Sequence, residues 1–196
     1  MPRGVYQLDG RSEAFSCAPG PAGWRYVSDR IDLTCDAAFR PVRVAVTGPG
    51  GSWLRGGGLR LDDGAAVLVW ASSRNPEVER TTSAGALLHP SPGAWVALLR
   101  GAAGPGAQPL ERTVAVLDVD GDALAAIVGV RVLRRVVSTS HPAPRGELLA
   151  ERWEVDDPDT GLRRELHLAG DVLLSATGAN LPEVELTALE EPPSLL

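Results

Sequence analysis

The chain contains no lysine; all nineteen of its basic side chains are arginine. That absence removes a Schiff-base lysine, a P-loop lysine and a lysine nucleophile from the available chemistries. Positive charge is also in deficit. Nineteen arginines face twenty-five acidic residues, for a formal net charge of −6, which argues against a surface built to meet nucleic acid. Cysteine is limited to Cys17 and Cys35. Two cysteines in a chain of this size need no disulfide, and they read as buried free thiols in a cytosolic setting. Long apolar runs are missing too. The longest, near Ala123–Val130, is broken by Gly129 and closed by Arg131, far short of a bilayer span. The opening MPRGVYQLDGRSEAF lacks the apolar centre of a secretory leader. The expectation is a cytoplasmic protein with no membrane span.

What is present is ordinary for a globular chain: 196 residues, 44% apolar and 22% charged. Glycine (22) and proline (16) punctuate it too densely for long helices. Between these breakers lie short segments of period two, each with one face suited to burial. Ile31 and Leu33 alternate with polar neighbours, as do Val42, Val44 and Val46, then Leu59 and Leu61, Leu166 and Leu168, and Val184 and Leu186. Turn chemistry joins several of them: Asp62-Asp63-Gly64, Asp118-Val119-Asp120-Gly121-Asp122, and Asp156-Asp157-Pro158-Asp159-Thr160-Gly161. Ser91-Pro92-Gly93 reads as the cap and first turn of one short helix over Ala94–Arg100. Ala123–Arg135 begins with helix formers and ends with β-branched residues, so its second half reads as strand. Gly101–Gln108 and Ser138–Gly146 read as loops. The pattern predicts an all-β, mainly antiparallel domain over residues 1–189: a single rolled sheet or half-open barrel of roughly ten strands with at most one or two short helices. Residues 190–196 read as a fraying tail.

Ile31-Asp32-Leu33-Thr34-Cys35-Asp36-Ala37-Ala38-Phe39-Arg40, followed by Val42-Arg43-Val44-Ala45-Val46, resembles a bacterial glycolipid-binding family. Trp53 ahead of a Gly-rich turn, Glu151-Arg152-Trp153-Glu154, and Gly170-Asp171-Val172 before the final strands continue the likeness. The resemblance implies a spiral β-roll similar to periplasmic lipoprotein carriers, with a lipid-binding role. A sheet of about ten strands tends to leave its interior unfilled, so an apolar cleft is expected.

Chemistry-bearing residues are scattered. His89, His141 and His167 show no metal-ligand spacing, and His89-Pro90 and His141-Pro142 place two of them in loops, most simply at the surface. Asp118, Asp120 and Asp122 suit a hairpin turn better than a calcium loop, because Gly121 falls at the fourth position. The acid pairs Asp62-Asp63, Asp156-Asp157 and Glu190-Glu191 point to opposite faces of any strand they enter. Ser138-Thr139-Ser140-His141 has neither a nucleophile elbow nor an orienting third residue. Neither a cofactor nor a metal is implied. Five of the nine aromatics are tryptophan, and large aromatics line ligand clefts as well as cores.

The function expected from this reading is non-catalytic: a lipid-like or glycolipid-like amphipathic ligand held in an apolar cleft of the roll. Trp70, Trp95 and Trp153 are the expected lining residues, and Arg43 the expected headgroup contact. Two alternatives stay open. One is a hydrolase of a carbohydrate or ester using unidentified acidic residues, marked by a pocket with converging carboxylates. The other is a protein-interaction module, including a homodimer, docking through a sheet edge or cleft.

Overall fold

The structure, a computed structural model, describes residues 1–8, 10–20, 23–61, 66–82, 85–103, 110–120, 122–143, 146–178, 183–191 and 193. Its first eight strands are β1 (Arg3–Leu8), β2 (Arg11–Gly20), β3 (Gly23–Ser28), β4 (Ile31–Asp36), β5 (Pro41–Thr47), β6 (Trp53–Arg60), β7 (Ala66–Ser72) and β8 (Glu79–Thr81). Strand β9 (Ala86–Leu88) leads into helix α1 (Pro92–Ala102). Then come β10 (Leu110–Val119), β11 (Ala126–Ala143), β12 (Gly146–Asp156), β13 (Arg163–Ala169), β14 (Val172–Gly178) and β15 (Val184–Leu189).

All fifteen strands join one sheet, in the order β8-β7-β6-β5-β4-β3-β2-β1-β15-β14-β13-β12-β11-β10-β9. The chain meanders from β1 to one edge at β8 and resumes at the other edge with β9. It then meanders back until β15 pairs antiparallel with β1. Every pairing is antiparallel except that of β9 with β10. The all-β expectation is therefore met, with fifteen strands rather than ten. The two three-residue edge strands, β8 and β9, terminate the sheet without pairing to each other, so it is rolled but not closed. Open sheets beyond about ten strands curl, and register shifts at Val5/Tyr6, Thr34/Cys35, Arg135/Val137 and His167/Leu168 add local twist.

The alternation read from the sequence marks the inner face on most of the strands it named, but Val42, Leu59 and Leu61, which it also put on a buried face, are exposed. Ile31, Leu33 and Cys35 on β4, Trp153 and Val155 on β12, and Leu166 and Leu168 on β13 are all buried. Rings stack across neighbouring strands, Tyr6 on Phe15 at 4.5 Å and Phe15 on Tyr26 at 5.6 Å. Cys17 and Cys35 are buried free thiols.

Helix α1 lies inside the roll. It packs on β4, β9 and β14, the fifth, fifteenth and tenth strands of the sheet order, which is only consistent with a sheet wrapped round it. Its sequence suits an interior position, since Ala94 through Leu99 are buried on every side. Proline at the first helical position follows Ser91, as expected, but the Ser91 hydroxyl does not cap the helix. It donates instead to Glu13 Oε1 at 2.8 Å, which also accepts from the Tyr26 hydroxyl at 3.1 Å. Gly93 faces the Tyr26 ring so closely that an added Cβ would lie 2.3 Å from it. The helix carries one charged side chain, Arg100. Arg100 donates from Nε to the Gly170 carbonyl at 2.9 Å and ion-pairs with Glu151, whose other oxygen takes Arg135 at 3.0 Å.

The sequence reading needs three further corrections. The interior that was expected to stay unfilled is occupied by α1. The expected loop Ser138–Gly146 is mostly strand, because β11 and β12 continue as a ribbon that pairs Ala143 with Gly146; Pro144 and Arg145 lie outside the described residues. The expected loop from Gly101 begins too early, since α1 runs through Ala102, and 104–109 lie outside the described residues. The Asp62-Asp63-Gly64 turn also lies outside them. No helix among the described residues is long and apolar enough to cross a membrane.

Candidate functional site

A half-open cavity of about 150 Å³ lies where the β9–α1 connection meets β10, β11 and the β12–β13 hairpin. Leu88, Pro90, Trp95, Val155 and Leu162 form its apolar walls. Its polar lining is His89, Asp118, Arg131, Asp157 and Arg164.

The strand register brings these residues together. Val155 pairs with Arg164 across β12 and β13, and Leu133 pairs with Val155 across β11 and β12, so the three share a row of the inner face. Arg131 lies two residues before Leu133, on the same face. Its guanidinium runs past Gly129, where an added Cβ would sit 3.1 Å from Nη1, and ion-pairs with Asp118. Asp157 meets the same guanidinium at 3.2 Å. The Asp157 Oδ1 meanwhile accepts the amides of Asp159 and Thr160 at 3.0 and 3.3 Å, which ties the hairpin turn to the cavity wall. Burial raises the Asp118 carboxyl above its ordinary value; Arg131 opposes the shift, while Asp157 and Asp120 add to it. The Arg164 guanidinium stacks 5.0 Å over the Trp95 ring. Burial pushes Arg164 down to about 10, so it remains protonated at neutral pH.

His89 is not at the surface. It is 1% exposed. Its Nδ1 accepts the Ser91 amide at 3.1 Å, so the neutral ring carries its proton on Nε2. Burial is the main cause that pushes this imidazole down to about 3, with Arg30 adding and Asp120 opposing. Nε2 has no hydrogen-bond partner among the described residues, and neither does Nε1 of Trp95. A ring with its lone pair engaged and its proton on the other nitrogen is a donor, not a general base.

Of the four residues expected to bind ligand, Trp95 lines this cavity. Trp153 is fully buried in the core, with Arg135 5.7 Å over its ring. Trp70 is buried on β7, and Arg43 is exposed on β5, so the four do not converge. The three aspartates weighed as a calcium loop also take separate roles. Asp118 holds Arg131, Asp120 Oδ1 accepts the Asp122 amide at 2.9 Å, and Asp122 meets Arg30 at 3.3 Å. His141 lies on β11 and His167 on β13, where its Nε2 is 2.9 Å from Glu165.

Sequence reasoning missed His89, Asp118, Arg131, Asp157 and Arg164 as a group. The available signal was phase: Arg131 alternates in step with Leu133, and Arg164 with Leu166 and Leu168. A charge on the buried phase of a strand is the unusual observation.

No family model and no curated protein matches the sequence. Among solved structures, a DUF1089 family protein from Pseudomonas aeruginosa is similar with a TM-score of 0.45 and 12% sequence identity, over 90% of this chain and 89% of that one.

Proposed function

We propose that the chain is a non-catalytic binding protein that takes one end of a lipid-like or glycolipid-like amphipathic ligand into the Trp95 cavity. The observation that carries this reading is a half-open cavity of about 150 Å³ with apolar walls of Leu88, Pro90, Trp95, Val155 and Leu162 and the arginines Arg131 and Arg164 in its polar lining. A cavity of about 150 Å³ is of the size that admits benzene, so only one end of such a ligand enters and the remainder stays outside the roll. Each buried methylene adds about 0.8 kcal/mol. The family resemblance at Ile31–Arg40 supports the same ligand class.

Native mass spectrometry of protein purified from its own host should show added mass, and a hydrophobic fluorescent probe should bind and be displaced by amphiphiles. Trp95→Ala should abolish probe binding while Trp70→Phe leaves it intact. Bare protein together with an unbound probe would refute the proposal. One observation favours a second reading, hydrolysis: Asp118 and Asp157 converge on one cavity. Both carboxylates are tied to Arg131, however, and His89 offers the cavity no lone pair. Ester or glycoside turnover that disappears in Asp118→Asn would favour the enzyme.

A further inference from the structure

We infer that the outer face of β5–β8 docks on an anionic lipid surface. None of these four strands lines the Trp95 cavity, so the inference stands apart from the ligand proposed above.

The strand register assembles the charge. Val44 pairs with Gly56, which sets Arg43 of β5 beside Gly57 of β6; Gly57 pairs with Val69, and Val69 with Arg80. Arg43, Gly57, Val69 and Arg80 therefore form one row over four strands, about 14 Å of sheet. Arg55 lies two residues before Gly57 on the same face, its guanidinium 5.7 Å from the centre of the Trp53 ring. All three arginines are exposed, and no ion pair joins any of them to a carboxylate among the described residues. The outward acids of the neighbouring β4 are taken: Asp32 accepts from Arg25 at 2.8 Å and Asp36 from Arg40 at 2.9 Å. Glu79 sits on the opposite phase, paired with Trp70. Asp62 and Asp63, which follow β6 in sequence, lie outside the described residues.

The same face carries aliphatic side chains. Cys35 pairs with Pro41 and Thr34 with Arg43, so Val42 is an extra residue, turned outward beside Arg43 by the bulge. Val42 is 51% exposed, and Leu59, two residues past Gly57, is 54% exposed. Both line one half-open cavity of about 220 Å³ together with Pro41 and Val67. Unpaired arginine, tryptophan and isolated aliphatic side chains on one face suit an interface with anionic headgroups over an apolar interior. A nucleic-acid backbone or an acidic chain would answer the arginines and leave Val42 and Leu59 in water. The net charge of −6 acts weakly at such a contact, because salt screens exposed charges beyond about 10 Å.

Co-sedimentation of the full chain with vesicles tests this, using phosphatidylcholine alone and phosphatidylcholine mixed equally with phosphatidylglycerol. The chain should bind the mixed vesicles and not the neutral ones, and binding should weaken as salt is raised. Arg43→Ser, Arg55→Ser and Arg80→Ser together should weaken it about a hundredfold, because each arginine at such a surface contributes about fivefold. A control that removes equal charge from exposed positions on β1, β2 and β10, Arg3→Ser with Arg11→Ser and Arg112→Ser, should bind as the parent chain does. Val42→Ser with Leu59→Ser should lower affinity and leave the salt dependence unchanged. All these positions are exposed, so each variant should keep the parent unfolding midpoint. Absent binding, equal binding to neutral vesicles, an equal loss in the control, or polyglutamate bound as tightly as the mixed vesicles would overturn the inference. Each of those results leaves the Trp95 cavity and its ligand as they stand.

Discussion

The Glu151→Gln substitution tests what fixes α1 inside the roll. Glu151 is fully buried, and its two oxygens answer two buried guanidiniums, Arg100 from the helix and Arg135 from β11. Arg100 is already pushed below its ordinary value by burial, and Glu151 is the main charge that opposes the shift. Removing the carboxylate leaves both arginines in a low-dielectric interior without their shared counter-charge. Breaking a buried ion pair from one side costs about 3–5 kcal/mol. Against a total stability of about 5–15 kcal/mol, that is a large fraction. For a chain of this length each kcal/mol moves the midpoint by about 2–4 °C, so thermal unfolding should fall by roughly 6–20 °C. Urea titration should show a matching loss in midpoint with little change in slope. The triple variant Arg100→Met, Arg135→Met, Glu151→Leu should recover most of the loss, because the three charges of the cluster are removed together. A loss under about 1 kcal/mol in Glu151→Gln would refute the claim that this cluster anchors the helix.

His89 predicts an acid-sensitive stability. Its folded pKa of about 3 lies below the unfolded value of 6.5, so the unfolded chain binds the extra proton; the stabilisation is complete above pH 6.5 and declines as pH falls toward 3. Urea titrations at pH 7.5 and 5 should differ by about 2 kcal/mol, and His89→Phe should flatten that difference. Gly93→Ala should destabilise by about 1–3 kcal/mol, since the methyl group would enter the Tyr26 ring; an unchanged unfolding midpoint would refute the close approach. Burial pushes the Cys35 thiol up to about 12 and raises Cys17 as well, so neither should react with a thiol reagent at pH 8 until the chain unfolds. The same shifts make stability fall as pH rises above 9, where unfolded thiols ionise first.

The fold class was readable because an antiparallel strand with one wet face writes its burial into alternate residues. Ile31-Asp32-Leu33 and Glu165-Leu166-His167-Leu168 are examples, and the structure buries their leucines. Strand number and the extent of the β11–β12 ribbon were harder to read. Ser138-Thr139-Ser140 has no apolar face, so local pattern could not distinguish a solvated strand from a loop. The Ser91-Pro92-Gly93 start of α1 was visible, but its location was not. A helix apolar on all sides carries no information about which strands surround it. The site was least legible, because tryptophan marks cores and clefts alike, and an inward arginine such as Arg131 or Arg164 stands out only once the strand's buried phase is known.

Where the site sits follows from two lengths. An eleven-residue helix spans about 16 Å, whereas the eleven residues of β12 span about 36 Å along the strand. Even allowing for strand tilt, α1 cannot fill the roll from end to end. Trp153 and Leu166 pair across β12 and β13, in a row that also holds Arg135 of β11. One row further toward the hairpin come Val155 and Arg164, and beyond that Asp157 and Arg131. The cavity opens at this end of the inner face, where Trp95 of the helix packs against Arg164. A helix extended by one turn at its N-terminus would have to displace His89 and close the site. Pro90 and Pro92 oppose such an extension: neither can donate a backbone hydrogen bond, and a helix does not readily continue back through them.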